Sequence, residues 1–252
     1  MANAQDSKQV DFKARLYERY LTGHAHRSTE TIQESIGHRI TFLRQVVCSR
    51  LPLLKTSHIL DLGCGHGAIL FAAQQAGYTN LTGVDVSPEQ IDAARQLGLA
   101  DVHCEDANTY LSKMPDGAFD AVIAFDILEH FTRPELFSLT DELHRVLTKG
   151  GRLILHVPNA EAIFSGTIRY GDLTHELAFT TESLNQLASA CRFKLVEVAE
   201  DLPAVHGLKS LLRNIIWRVG TLGFRLLAVA ENGVGFQTKP LSQNMLAVLE
   251  AV

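Results

Sequence analysis

Two short stretches of the chain hold more chemistry than connecting loops require. In "IRYGDLTHEL" (168–177), Arg169, Tyr170, Asp172, Thr174, His175 and Glu176 crowd a span where a turn needs a glycine and a few polar residues. In "LEHF" (128–131), a second imidazole, His130, directly follows the apolar run "FDAVIAFDIL". Imidazole accepts a proton near neutral pH, so His175 is the first candidate for a general base and His130 its rival. Glu176 or Asp172 would orient or polarise the His175 ring. Arg169, Tyr170 and Asp172 would bind a hydroxyl-rich or anionic acceptor. A plainer reading of the same residues makes Asp172 and Thr174 turn and capping groups and packs the histidines into their loops. His24 and His26, near Tyr17 and Tyr20, fit a lid and a solvated helix end equally well. No H-E-x-x-H or tight Cys/His spacing occurs, so no metal ligands are expected, although Mg2+ on scattered carboxylates stays open.

A third stretch, "DLGCGHGA" (61–68), is a glycine loop. Glycine admits positive φ and lets a ligand approach the backbone closely. Gly63-x-Gly65-x-x-Ala68, with Asp85 about 20 residues on, satisfies the dinucleotide-binding pattern. The same residues also fit D-x-G-x-G-x-G.

These residues need a scaffold, and the hydrophobic rhythm supplies one. Residues 10–50 read as helical, and Pro52 closes that region. "HILDLG", "LTGVDVS", "DVHCEDA", "FDAVIAFDIL" and "GRLILHVPN" then read as strands. Helices alternate with them: "AILFAAQQAG", a stretch opened by Ser87-Pro88, and Pro134 to about Leu147. Such alternation implies right-handed crossovers and a parallel sheet covered on both faces. "TTESLNQLASA" follows as a helix, "FKLVEVAE" as a strand and "QNMLAVLEAV" as the last strand.

Taken together, these segments resemble class I S-adenosylmethionine-dependent methyltransferases over about residues 57–158. "DLGCGHG" is similar to the family's first motif, "FDAVIAFDILEHF" to its fourth strand and following loop, and "GGRLILHVPN" to its fifth strand. The resemblance implies a Rossmann-like, seven-stranded α/β sheet with helices on both faces and an antiparallel last strand. It implies S-adenosylmethionine as cofactor. Gly63, Gly65 and Gly67 would flank its methionine part, Asp85 would accept both ribose hydroxyls, and Asp106, closing the third strand, would hold the adenine amino group. Phe125 to Leu128, Asp126 among them, would lie beside the sulfonium, with Asp61, Val86 and Ala107 among the other contacts. A nicotinamide-dependent oxidoreductase and a non-catalytic cofactor-binding protein remain the readings from other classes.

The composition agrees with a folded α/β domain: 252 residues, 46% hydrophobic and 20% charged. A net charge of −5 argues against a general nucleic-acid binder. Four scattered cysteines, no signal-like apolar core and no apolar run of spanning length point to a cytoplasmic protein. The expected organisation is a helical cap or lid over 1–52, a cofactor-binding core over 53–160, and a substrate loop with the last two strands over 161–252.

Within that last part, about 203–238 forms a basic amphipathic insertion. Leu208, Leu211, Leu212, Ile215, Val219, Leu222 and Leu226 share one helical face, with Lys209, Arg213, Arg218 and Arg225 nearby and no acid before Glu231. The expectation leans towards a cap packed on the domain or on a second subunit, as in a homodimer. Peripheral contact with an anionic membrane is the alternative, and Gly220 and Gly223 offer a break into two helices. "RYGDLTHELAFT", this insertion and "KPLSQNML" together resemble methyltransferases of bacterial surface polysaccharide and glycolipid assembly. The implied activity is O-methylation of a sugar hydroxyl on a glycan or glycolipid precursor. A quinone, phenol or other small-molecule acceptor is the runner-up.

Overall fold

The computed structural model describes Gly37 and residues 40–202, 207–233 and 239–252. Most of the expected N-terminal cap, with Tyr17, Tyr20, His24 and His26, lies outside these residues. Seven strands form one sheet: β1 (His58–Leu62), β2 (Asn80–Asp85), β3 (Val102–Cys104), β4 (Phe119–Phe125), β5 (Leu147–Pro158), β6 (Phe193–Glu200) and β7 (Asn244–Ala251). Their order is β3-β2-β1-β4-β5-β7-β6. The pairs among β1 to β5 are parallel, and β7 runs antiparallel to both β5 and β6. The expected sheet, including its antiparallel last strand, is the one observed.

The central strands are apolar on both sides because both sides are covered. Ile59, Ala121, Ile123 and Ile154 pack with α1 (Ala68–Gln75) and Val47 on one face. Leu60, Val122, Leu153 and Leu155 face the opposite way, towards α3 (Ala107–Ser112), α4 (Arg133–Val146) and α6 (Thr181–Ala190). The helix α2 (Pro88–Gln96), started by Ser87 and Pro88, buries Ile91 and Ala94 in a separate cluster with Cys64, Leu70, Leu99 and Val102. The capping box Thr132–Glu135 starts α4, and its Leu139 and Leu143 are fully buried. Strand order reverses between β1 and β4, so a crevice opens beyond their carboxyl ends.

Three local expectations change. Asp106 lies beyond β3 and caps α3, its carboxylate accepting from the Thr109 amide at 3.0 Å. The insertion is one continuous helix, α7 (Leu208–Asn232), running through Gly220 and Gly223. Two interior glycines cost a helix roughly 1 kcal/mol each, too little to break a ladder of this length. The third change concerns the side α7 turns inward. Ser210 and Thr221 are buried, Trp217 and Arg225 reach Glu200, and the apolar row points outward: Leu212 is 56% exposed, Val219 62% and Leu226 71%. The expected packed cap is therefore inverted, with the polar stripe on the domain. Among the described residues, no helix is long and apolar enough to cross a membrane.

Candidate active site

The glycine loop joins β1 to α1 at the crevice. Gly63, Gly65 and Gly67 all have positive φ, and Gly67 is the N-cap of α1. Their reasons differ. A Cβ on Gly67 would come within 2.3 Å of Leu99 Cδ1, so this glycine serves close packing rather than a ligand. A Cβ on Gly65 would meet nothing nearer than 3.7 Å, which leaves its backbone open to the crevice. Asp85, at the end of β2, accepts the Gly65 amide on one oxygen and the Ser87 amide on the other, both at 2.9 Å. Each oxygen keeps a further lone pair, so the carboxylate is oriented yet still able to accept hydroxyls. Asp61, at the β1 end of the loop, is fully buried, and neither carboxylate oxygen has a hydrogen-bond partner. Burial, then the charge of Asp85, pushes its pKa well above the usual carboxylate range. An orphaned buried carboxylate is costly on its own and is suited to a ligand that brings a positive amino group. The residues present thus fit the α-amino group and ribose of S-adenosylmethionine.

Opposite the loop, β4 ends at Phe125 and Asp126, the latter held at φ +56°. Phe125 stacks on His156 of β5, ring centroids 4.0 Å apart. His156 is buried between two carboxylates: Nδ1 meets Asp126 at 2.5 Å and Nε2 meets Asp201 at 3.1 Å. Burial by itself would lower this imidazole's pKa, but the two hydrogen bonds and charges prevail and lift it to about 9. His156 therefore ties the turn after β4 to the turn after β6. Asp201 also lines a cavity of about 360 Å³ with Ser210, Arg213, Asn214 and Trp217 of α7 and Asn244 of β7. That cavity opens at the carboxyl edge of β5 and β6, where Pro158 and Glu200 pair with Asn244 and Met245.

The crowded loop comes back to the residues after β4. The amides of Glu176 and Leu177 donate to the Glu129 carbonyl at 2.8 and 3.0 Å, which draws His175 onto the turn that carries His130. The imidazole rings of His130 and His175 meet edge to face, centroids 4.9 Å apart. The two sequence candidates for a base are one cluster rather than rivals. Glu129 completes it: the residue is 1% exposed, its Oε1 lies 4.0 Å from His175 Nε2, and its Oε2 has no partner. Burial, then the charge of Asp126, pushes this carboxyl up to about 8. Burial, then His175, lowers the pKa of His130.

The remaining loop residues mostly hold the loop itself. Arg169, expected to bind acceptor, donates to the carbonyls of His175 and Glu176. Asp172 accepts the amide and the hydroxyl of Thr174 at 2.8 and 2.7 Å, the plainer turn reading. Tyr170 is exposed beside Arg169. The Ile168 carbonyl, 3.0 Å from Nδ1, orients the His175 ring, and the Asp172 carboxylate interacts with its charge. Val86 is exposed at the crevice rim and Ala107 nearly buried at the start of α3. Sequence reasoning missed Glu129, His156 and Asp201. The first of these sat inside a quoted motif, but an acid beside a histidine reads as a solvated pair until its burial is known. The metal expectation rested on local spacing, and the fold assembles Glu129, His130 and His175 from two distant segments.

The sheet order, the glycine loop and an acid closing β2 define the class I methyltransferase fold. Residues 59–151 match the family described as a methyltransferase domain. The chain is 28% identical over 219 residues to O-methyltransferase resE of Aspergillus sclerotiorum, covering 81% of this chain and 80% of that protein. It is 31% identical over 118 residues to a ubiquinone biosynthesis O-methyltransferase of Xylella fastidiosa, 45% of this chain and 46% of that one. The chain spans less than half of the length of several further curated relatives. A solved S-adenosylmethionine-dependent methyltransferase from Archaeoglobus fulgidus superposes with a TM-score of 0.62 at 20% identity, over 85% of this chain and 94% of that one. Residues 59–151 thus match a methyltransferase domain set in the class I methyltransferase fold, and S-adenosylmethionine is its cofactor. The nicotinamide alternative, which rested on the glycine pattern alone, falls.

Proposed function

We propose that the protein methylates a hydroxyl oxygen, most directly that of a sugar in a glycan or glycolipid precursor. The observation that carries this reading is the cluster after β4. Two imidazoles and a buried carboxylate converge beside the crevice, where a hydroxyl has to lose its proton. Similarity to O-methyltransferases supports oxygen as the target. The bound cofactor supplies a methyl group on a sulfonium, already a good leaving group, so positioning contributes most of the acceleration. In this reading Asp61 faces the cofactor's amino group, Asp85 its ribose and Asp106 its adenine. Gly63 and Gly65 let it approach the backbone, and Phe125 and Asp126 border the reacting end. The acceptor enters from the cavity between α7 and Asp201, where Arg213, Asn214 and Trp217 offer hydrogen bonds and an aromatic face suited to a sugar.

The outward side of α7 favours an acceptor carried on lipid. Its exposed apolar row is flanked by exposed Lys209, Arg213 and Arg218, a pattern that matches an anionic membrane surface. The runner-up, a phenolic or quinone acceptor, draws on the Xylella relative. Methyl transfer from labelled S-adenosylmethionine to lipid-linked sugars and to catechols, assayed side by side, separates the two. Transfer to neither, or to amines alone, overturns hydroxyl methylation.

A further inference from the structure

His156 sets both of its ring nitrogens against carboxylates, Nδ1 at 2.5 Å from Asp126 and Nε2 at 3.1 Å from Asp201. An ionised carboxylate only accepts, so both nitrogens donate and the ring is an imidazolium. Its side chain is 4% exposed and Phe125 covers one face, so this cation has a fixed place. One carboxylate balances its charge. The second carboxylate calls for another reason.

Asp201 supplies that reason by its surroundings. Its Oδ2 faces His156, and among the described residues its Oδ1 has no hydrogen-bond partner. The residue lines the cavity of about 360 Å³ beside α7, and its side chain is 25% exposed. Its main chain is fixed as well: the amide donates to Ser242 Oγ at 3.0 Å, and that hydroxyl donates to the Asn244 carbonyl at 2.6 Å. Trp217 lines the same cavity and points its indole N–H at Glu200 Oε2, 3.5 Å away. An immobile carboxylate oxygen and an oriented aromatic face suit a ring that carries hydroxyls, because the hydroxyl donates while the apolar face of the ring packs on the indole. Ligand cavities run from roughly 300 to 1,000 Å³, so this one has room for a single sugar ring rather than a longer glycan.

We infer that Asp201 binds the acceptor, its Oδ1 accepting from a hydroxyl of a sugar ring stacked on Trp217, and that His156 is the positioning residue that aims it. This inference rests on the sugar-hydroxyl reading and deepens it. The hydroxyl on Asp201 is one that is not methylated, and the reacting one lies towards His130 and His175. The other end of the same tie, Asp126, stands in the turn after β4. A single buried cation therefore fixes the acceptor carboxylate relative to the reacting end of the crevice.

Trp217 is the only tryptophan in the chain, so its emission reports this cavity alone. The test titrates the full chain, saturated with S-adenosylhomocysteine, with methyl glycosides of neutral hexoses, alongside Asp201→Asn, His156→Gln and the double variant. The expected result is a saturable change in emission in the parent, with affinity about 10–100-fold weaker in Asp201→Asn. In that variant the imidazolium claims the amide oxygen and leaves an N–H group facing the cavity. His156→Gln should weaken binding too, and should add little once Asp201 is replaced, since it acts through Asp201. S-adenosylhomocysteine should still bind all four proteins, which shows that each is folded. No emission change with any of the glycosides, or equal affinity in the parent and Asp201→Asn, overturns the acceptor site. Losses that add in the double variant overturn the positioning role of His156. Methyl transfer to a sugar with unchanged KM in Asp201→Asn overturns the inference and leaves the hydroxyl reading intact. Binding in the expected pattern without transfer to any hydroxyl upholds the inference and overturns that reading.

Discussion

On α4, Leu136, Leu139, Leu143 and Val146 are buried against the sheet and the charged residues face solvent. On α7, Ser210, Trp217, Thr221 and Arg225 take the inward positions, and Leu212, Ile215, Val219, Leu222 and Leu226 take the outward ones. Both helices are amphipathic and both are anchored, but different forces anchor them. The apolar stripe of α4 is stabilised by leaving water. What holds α7 is a few polar contacts, chiefly Glu200, which accepts from Arg225 at 2.9 Å and from the Leu241 amide at 2.9 Å. Amphipathicity therefore specifies that a helix has two unlike sides. Which side meets the domain depends on what that surface offers: an apolar sheet face for α4, and a rim of carboxylates and carbonyls for α7.

The largest effect expected from this contrast is on α4. Leu139→Ala removes a fully buried side chain and should cost about 2–5 kcal/mol in urea unfolding. A loss below 1 kcal/mol would mean that α4 is no better packed than α7.

The next test concerns the buried polar tie of His156, a strong internal partnership of the kind that the outward side of α7 lacks. Its folded pKa of about 9 lies above the unfolded value near 6.5. Its contribution is therefore complete below about pH 6.5 and disappears as pH rises through about 9. Allowing for a half-exposed Asp126, about 2 kcal/mol should be lost across that window. Unfolding midpoints measured from pH 6 to 10 check this, and His156→Asn should flatten the profile. A parent profile with no fall through this window would show that the tie is not ionic.

A third test takes the cofactor crevice, where partners are supplied from inside and from the ligand together. Asp85→Ala removes a carboxylate that two backbone amides hold in place, and should weaken S-adenosylhomocysteine binding by about 1–3 kcal/mol in calorimetry. Unchanged affinity would remove Asp85 from the site.

The smallest stability effect belongs to α7. Val219→Asp should change unfolding free energy by less than about 0.5 kcal/mol, as exposed substitutions do. The same change should reduce co-sedimentation with anionic vesicles at low salt, leaving neutral vesicles unaffected. A cost matching that of Leu139→Ala would show the apolar row to be covered, by a second copy or otherwise, and the contrast between the helices would disappear.

Much of the crevice was legible because its signals are local. Glycines that need positive φ, an acid at the end of β2 and an apolar run for β4 all declare themselves within a few residues. Asp106 shows the limit of this. An aspartate after a strand reads as a strand end, yet it also makes an effective helix N-cap, and the helix took it. Arg169 shows another limit. Its residue type advertises an anion site, whereas its guanidinium meets carbonyls that only the folded loop brings near.

Sequence by itself determined the alternation of strands and helices, the sheet's place in the class and the loop chemistry around His175, since periodicity and residue type are properties of short segments. The fold decided the rest. It buried Glu129 by hydrogen-bonding the backbone of a distant loop to its carbonyl, joined His130 to His175, and oriented their rings through Thr174 and Ile168. It also chose which side of α7 to hide. Burial and partnership depend on segments far apart in the chain, and neither is set until those segments have packed.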